Sequence, residues 1–173
     1  MLKKFVKLKD LLGNLNNKKM KTIYVFIASS AELKRERMEL VDLMQDMNDY
    51  FEEQNIKLRP VLWEYMDSSM RAERKEDEYL VKLRGCEICI VLFWKIRGEY
   101  SVEELDVATE EMRAGRCPKE VHVFFKEPAE NASEELILFK KDFNNKYRIQ
   151  PTVFDNADTL RKHVESIIRN SIH

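Results

Sequence analysis

The chain has 173 residues, 44% hydrophobic and 35% charged, with a net charge of −1, three cysteines, and only 4 glycines and 4 prolines. That is the length of one ordinary domain built of regular elements with short loops, and it is too apolar for a disordered chain. No apolar run approaches the roughly 18 residues of a membrane helix, and three cysteines are too few for a disulfide scaffold in a chain of this size, so a cytoplasmic protein away from the membrane is expected.

Charge is uneven along the chain. Residues 1–21 hold seven lysines and one aspartate, or +6, which leaves −7 for the rest. A mildly acidic body disfavours general nucleic-acid binding. Residues 1–20 read as a basic N-terminal extension and residues 21–173 as one α/β domain. The opening MLKKFVKLKDLLGNLNN lacks an unbroken apolar core and a small-residue cleavage site, so no signal peptide is expected.

TIYVFIA (22–28), rich in β-branched and aromatic residues, predicts a buried strand. Ser29 or Ser30 can cap the helix that follows, whose Leu33, Leu40, Leu43, Met44, Met47 and Phe51 fall at helical spacing. IKLRPVLWE (56–64) predicts a second strand, at an edge or irregular because of Pro60. A polar loop leads to a helix beginning around Arg74, with Tyr79, Leu80 and Leu83 as its apolar stem and Gly85 at its end.

EICIVLFW (87–94) is the most apolar run and predicts a central parallel strand covered on both faces. Cys86 and Cys89 form a C-x-x-C, but a strand points residues three apart to opposite faces. They read as small buried hydrophobes. A helix from Ser101 to Ala114 ended by Gly115, a strand EVHVFFK (120–126), a helix over 131–146, a short strand QPTVFD (150–155) and a helix over 157–171 complete the pattern.

Five strands alternating with five helices predict a three-layer, flavodoxin-like α/β fold: a five-stranded parallel sheet with helices on both faces and strand order 2-1-3-4-5. Ligands in such sheets bind at the carboxyl ends of the strands, where the order reverses between strands one and three. The segments leaving those strands are ASSAEL and WKIRGEYSVEEL.

Both segments carry a serine followed three residues later by a glutamate, Ser29 with Glu32 and Ser101 with Glu104, which is the capping-box spacing. Glu104 is open to two roles, a helix cap or a functional carboxylate. It borders the stripe Val102, Leu105, Ala108 and Met112, which shields its stem, whereas Glu103, Glu99 and Glu111 read as surface charge. A helix N-terminus lowers a carboxylate pKa, so Glu104 is expected to be ionised at neutral pH.

Ser29 and Ser30 can cap a helix or form a turn whose amides receive a phosphate. Neither G-x-x-x-x-G-K-S/T nor G-x-G-x-x-G is present. Trp63, Trp94 and Tyr100 are candidate stacking surfaces or core-closing aromatics. Arg97 and Lys95 are candidate phosphate partners or loop charge. His163 and His173 receive no role, and no ligand set for a metal is evident.

YVFIASSAELKRER followed by CEICIVLFWKIRGEYSVEELDVA resembles TIR-like domains, in particular a bacterial subgroup that opens signalling proteins. The likeness covers about residues 22–126. It implies a flavodoxin-like sheet and cleavage of the nicotinamide–ribose bond of NAD, a substrate rather than a resident cofactor. Carried onto this chain, the family's glutamate is Glu104, followed by Leu105 and preceded four residues earlier by Tyr100. Ser29, Ser30, Trp63, Trp94, Arg97, Tyr100 and Ser101 are then the candidate substrate-binding residues. The chain departs from the family in having Tyr100-Ser101 where Trp-Cys is usual. It also lacks a proline-glycine pair in residues 63–73, the segment through which such domains self-associate. The resemblance further implies a signalling or defence role and possible fusion to an ATPase or repeat module. Two alternatives remain: a non-enzymatic interaction module of the same fold, in which Glu104 only caps its helix, and a nucleoside deoxyribosyltransferase-like enzyme.

The chemistry needs few parts. Breaking the ribosyl–nicotinamide bond builds positive charge on the ribose, as in glycoside hydrolysis. The leaving group is already a pyridinium, so a carboxylate that stabilises the cation or positions water suffices, with aromatic faces for the ring and a serine turn for the diphosphate.

Overall fold

The structure, a computed structural model, describes residues 19–65 and 75–172. Most of the basic extension, the expected self-association segment beyond Tyr65, the expected helix start at Arg74 and His173 lie outside the described residues.

Five strands, β1 (Lys21–Ser29), β2 (Ile56–Val61), β3 (Ile88–Phe93), β4 (Glu120–Lys126) and β5 (Thr152–Phe154), pair in parallel in the order β2-β1-β3-β4-β5. This is the flavodoxin-like order expected from the β-α alternation. The helices are α1 (Lys34–Phe51), α2 (Lys75–Arg84), α3 (Glu99–Arg113), α4 (Glu134–Tyr147) and α5 (Ala157–Ile172).

Alternation along the strands sends side chains to two separate cores. Ile23, Val25, Ile27, Ile88, Ile90 and Leu92 meet Leu40, Met44 and Met47 of α1 and Leu160, Val164 and Ile168 of α5. On the other face Phe26, Ala28, Cys89, Val91 and Phe93 meet Tyr79 and Leu83 of α2, Val102, Leu105 and Ala108 of α3, and Phe143 of α4. All six residues of β3 are buried, which explains its unbroken apolar run. Pro60 is tolerated because β2 is an edge strand with a single neighbour. Cys86 and Cys89 are buried and free, as read from the sequence, and burial pushes the Cys86 thiol up to about 12.

Several boundaries differ from expectation. β2 ends at Val61 rather than Glu64, and Trp63–Tyr65 form a 3-10 turn. The first helix is entered through another 3-10 turn, Ala31–Leu33. The third helix begins at Glu99, two residues before Ser101, because Gly98 at φ 63° sharpens the turn into it. Among the described residues, no helix is long and apolar enough to cross a membrane.

Candidate functional site

The register pairs Ser29 with Leu92, so the ends of β1 and β3 lie side by side at the carboxyl edge of the sheet. The loops that leave them are joined by one carboxylate. Glu32 Oε1 accepts from the backbone amides of Lys95 (2.9 Å) and Ile96 (3.0 Å) and from Ser30 Oγ (3.2 Å). The expected Ser29–Glu32 capping box therefore does not form; the glutamate bonds across the loops, not back to its own helix. Gly98 completes the junction: a Cβ there would stand 3.3 Å from Ser101 Oγ and 3.5 Å from Ser30 Cβ. Only a glycine combines that approach with positive φ.

The second capping box is also absent. Because α3 starts early, Ser101 lies inside its first turn and is 3% exposed, and Glu104 falls in the second turn. Among the described residues no side-chain or backbone group hydrogen-bonds the Glu104 carboxyl. Burial pushes its pKa up to about 8, the neighbouring Glu103 pushes the same way, and Arg37 opposes them. The expectation of an ionised carboxylate at neutral pH is thus overturned. Helix-end charge acts within the first turn and is outweighed by desolvation one turn further in.

Arg37 organises the other side of the site. It is 0% exposed. Nη1 donates to Ser29 Oγ and to the Ser30 carbonyl (2.7 Å); Nε donates to Glu64 Oε1 (2.9 Å), and Nη2 reaches the same oxygen. The guanidinium lies 5.5 Å from the Trp63 ring centroid. Arg37 thus holds the serine turn after β1 to the 3-10 turn after β2, with its charge near Glu104.

Two buried side-chain atoms lack a hydrogen-bond partner among the described residues, Glu64 Oε2 and Tyr79 Oη. An unsatisfied buried group costs about 1–3 kcal/mol. Burial, Glu104 and Glu64, in that order, hold the Tyr79 hydroxyl far above its ordinary pKa, so it stays protonated.

Of the sequence-derived candidates, the structure gathers Ser29, Ser30, Trp63, Ser101 and Glu104 around this junction. Tyr100 is 64% exposed. Arg97 is exposed, with its guanidinium 5.7 Å from the Phe139 ring. Trp94 belongs to a separate cavity of about 410 Å³ between β4 and α4, where Lys95 and Lys126 lie over its ring. Trp63, 50% exposed, does not close the core. Glu103 and Glu99 are solvent-facing as expected, whereas Glu111 is covered by Arg84 and Arg116 and is no free surface charge.

Sequence reasoning missed Arg37, Glu64, Tyr79 as a polar group, and the cross-loop role of Glu32. Arg37 did leave a signal: it falls four residues after Leu33 and three before Leu40, inside the apolar stripe of α1. A charge in a buried stripe needs partners. Glu64 left none, since its role depends on where β2 ends.

No model of a known protein family matches the chain, and no curated protein matches it. Among solved structures, the chain is similar to the Clostridium botulinum CMP N-glycosidase BcmB, at 12% identity over 83% of this chain and 98% of that one, with a TM-score of 0.46. It is also similar to RosB, solved with bound 8-demethyl-8-formylriboflavin-5′-phosphate, at 13% identity over 77% of this chain and 61% of that one, with a TM-score of 0.33. Likeness at this level carries no argument about chemistry; what the sheet order itself establishes is a three-layer, flavodoxin-like α/β protein.

Proposed function

We propose that this chain is a TIR-like enzyme that cleaves the N-ribosyl bond of a nucleotide, with Glu104 as the acting carboxylate and NAD as substrate. The observation that carries the reading is the desolvated Glu104 carboxyl at the point where strand order reverses, with a pKa near 8. The resemblance of the two loop segments to TIR-like domains favours NAD. No resident cofactor is needed.

A carboxyl stripped of water gains more from an arriving cation than one already solvated. The nicotinamide pyridinium brings such a charge, lowers the carboxyl pKa and favours loss of its proton. The carboxylate then stabilises the ribosyl cation as the bond from C1′ to the ring nitrogen breaks. That bonding pair neutralises the pyridinium, and nicotinamide leaves. Water adds to C1′ and loses a proton, giving ADP-ribose. The Ser29–Ser30 turn, held by Arg37, is the element available to the diphosphate.

The test is nicotinamide release from NAD by purified protein, followed by chromatography. Glu104→Gln is expected to lower the rate by a hundredfold or more, about 2.7 kcal/mol of transition-state stabilisation. Unchanged activity in a folded Glu104→Gln protein would overturn the assignment. A second reading follows from the same pKa: a carboxyl neutral at pH 7 can protonate a neutral base as it leaves a nucleoside monophosphate. The pH profile separates the two. With NAD the rate rises as Glu104 ionises, along a limb at or below pH 8. With a neutral leaving base it falls as pH rises through the same value. A rate that Glu104 governs in neither direction, with interaction function intact, would favour the non-enzymatic module.

A further inference from the structure

We propose that Tyr79 and Glu64 form a ribose-reading subsite beside Glu104, which binds the vicinal 2′,3′-diol and so selects ribonucleotides over their 2′-deoxy counterparts. The inference rests on the reading of the site as an N-ribosyl-cleaving centre and adds the sugar class that it accepts.

The first ground is where the two unpartnered atoms lie. The Tyr79 hydroxyl lies near enough to Glu104 and to Glu64 for both charges to hold its proton on, and Glu64 is bonded to Arg37, whose charge reaches Glu104. Buried polar groups in folded proteins are nearly always bonded, so two groups without a partner among the described residues, next to a buried carboxyl, suit a partner that arrives with a ligand.

The second ground is that neither group can turn away to find a partner. Glu64 is fixed because Oε1 accepts both Nε and Nη2 of Arg37, which leaves Oε2 aimed elsewhere. Arg37 does not serve Oε2 in this arrangement: Nε and Nη2 both reach Oε1, and Nη1 donates to Ser29 and Ser30. Tyr79 is 8% exposed, and its ring packs on Phe26 at 4.7 Å between centroids. The backbone of Trp63 comes near the hydroxyl without reaching hydrogen-bond geometry.

The third ground is chemical fit. The free groups are a carboxylate oxygen, which only accepts, and a phenol held protonated, which donates and accepts. A phosphate would meet repulsion from Glu64. A ribose diol is neutral and supplies both complements: one hydroxyl donates to Glu64, and the other accepts from Tyr79. Since C2′ is bonded to C1′, a sugar held this way also brings its reacting carbon toward Glu104.

The experiment measures binding, because removing the 2′-hydroxyl changes the intrinsic lability of the N-ribosyl bond and would confuse a rate comparison. Glu104→Gln protein, in which turnover is suppressed, is titrated calorimetrically with NAD and with its analogue lacking the 2′-hydroxyl of the nicotinamide ribose. CMP and dCMP serve as a second pair. The ribo form is expected to bind at least tenfold more tightly. Tyr79→Phe or Glu64→Gln, added to Glu104→Gln, should bring that ratio towards one by weakening the ribo form alone. Tyr79→Phe keeps the ring and removes an unpaired hydroxyl, so its melting temperature should not fall, which separates recognition from folding. Equal binding of ribo and deoxy forms, or a ratio unchanged in both variants, would overturn the subsite while leaving N-ribosyl cleavage standing. Failure of the wild-type protein to bind or cleave any of these nucleotides would overturn both.

Discussion

Glu104 and Glu111 lie seven residues apart on one helix, two turns along the same face, and are almost equally unexposed at 8% and 9%. Their proton affinities nevertheless move in opposite directions. Glu104 is raised to about 8 by burial against the sheet. Glu111 is lowered, chiefly by hydrogen bonds from Arg116 and then Arg84. The low exposure of Glu111 comes from two arginine side chains, 64% and 47% exposed, folded over it at the surface, not from depth. Low exposure alone therefore does not mark a functional carboxylate. What marks Glu104 is burial without a compensating partner among the described residues, a condition that opposes stability and suits chemistry.

The comparison is tested most strongly by Glu104→Gln. Its folded pKa is raised from 4.5 to about 8, so the folded state binds the extra proton between those values. Its contribution to stability is complete below pH 4.5 and lost as pH rises through about 8. Glutamine does not titrate. The variant should thus match wild type near pH 4.5 and become more stable than it towards pH 8, by a few kcal/mol at a slope on the order of 1.4 kcal/mol for each step of one in pH. Chemical denaturation across that range measures the difference; a gap that does not widen with pH would mean that Glu104 is solvated.

Glu111→Gln should behave in the opposite sense. A lowered folded pKa gives stability that is present above pH 4.5 and lost as pH falls through the folded value. The variant should melt below wild type at neutral pH, the difference should close on acidification, and added salt should shrink it because the arginines are exposed. A salt-insensitive difference would place Glu111 deeper than the structure does.

The smallest effect separates a true cap from an apparent one. Ser133 Oγ accepts from the Leu136 amide at 3.2 Å at the start of α4, so Ser133→Ala should cost about 1 kcal/mol. Ser101 has the same sequence signature but lies inside α3 and caps nothing, so Ser101→Ala should cost only a few tenths of a kcal/mol on this account. Equal losses, measured by denaturant midpoint, would restore the capping-box reading of Ser101 and Glu104.

Much of the architecture was legible because it rests on local periodicity. The apolar run of β3, the stripe of α1 and the β-α alternation each predict an element, and together they predict the parallel sheet and its order. Local pattern failed at Ser101 and Glu32, where a glycine turn and a cross-loop hydrogen bond moved the helix starts and redirected the carboxylate. The residues that the site brought from elsewhere, Glu64 and Tyr79, could not be read at all. They are 40 and 25 residues from Glu104 in the chain, and nothing in their own neighbourhoods indicates that they meet it.

The sequence by itself determined the layers, the reversal point and the candidate glutamate, because hydrophobic spacing and the geometry of crossover connections leave few ways to fold such a pattern. Only the tertiary structure decided the protonation of Glu104, the buried clamp of Arg37 and the atoms of Glu64 and Tyr79 that find no partner among the described residues. Those properties depend on which groups the fold removes from water and which partners it puts within reach, and water and partners are both long-range facts that no short stretch of sequence carries.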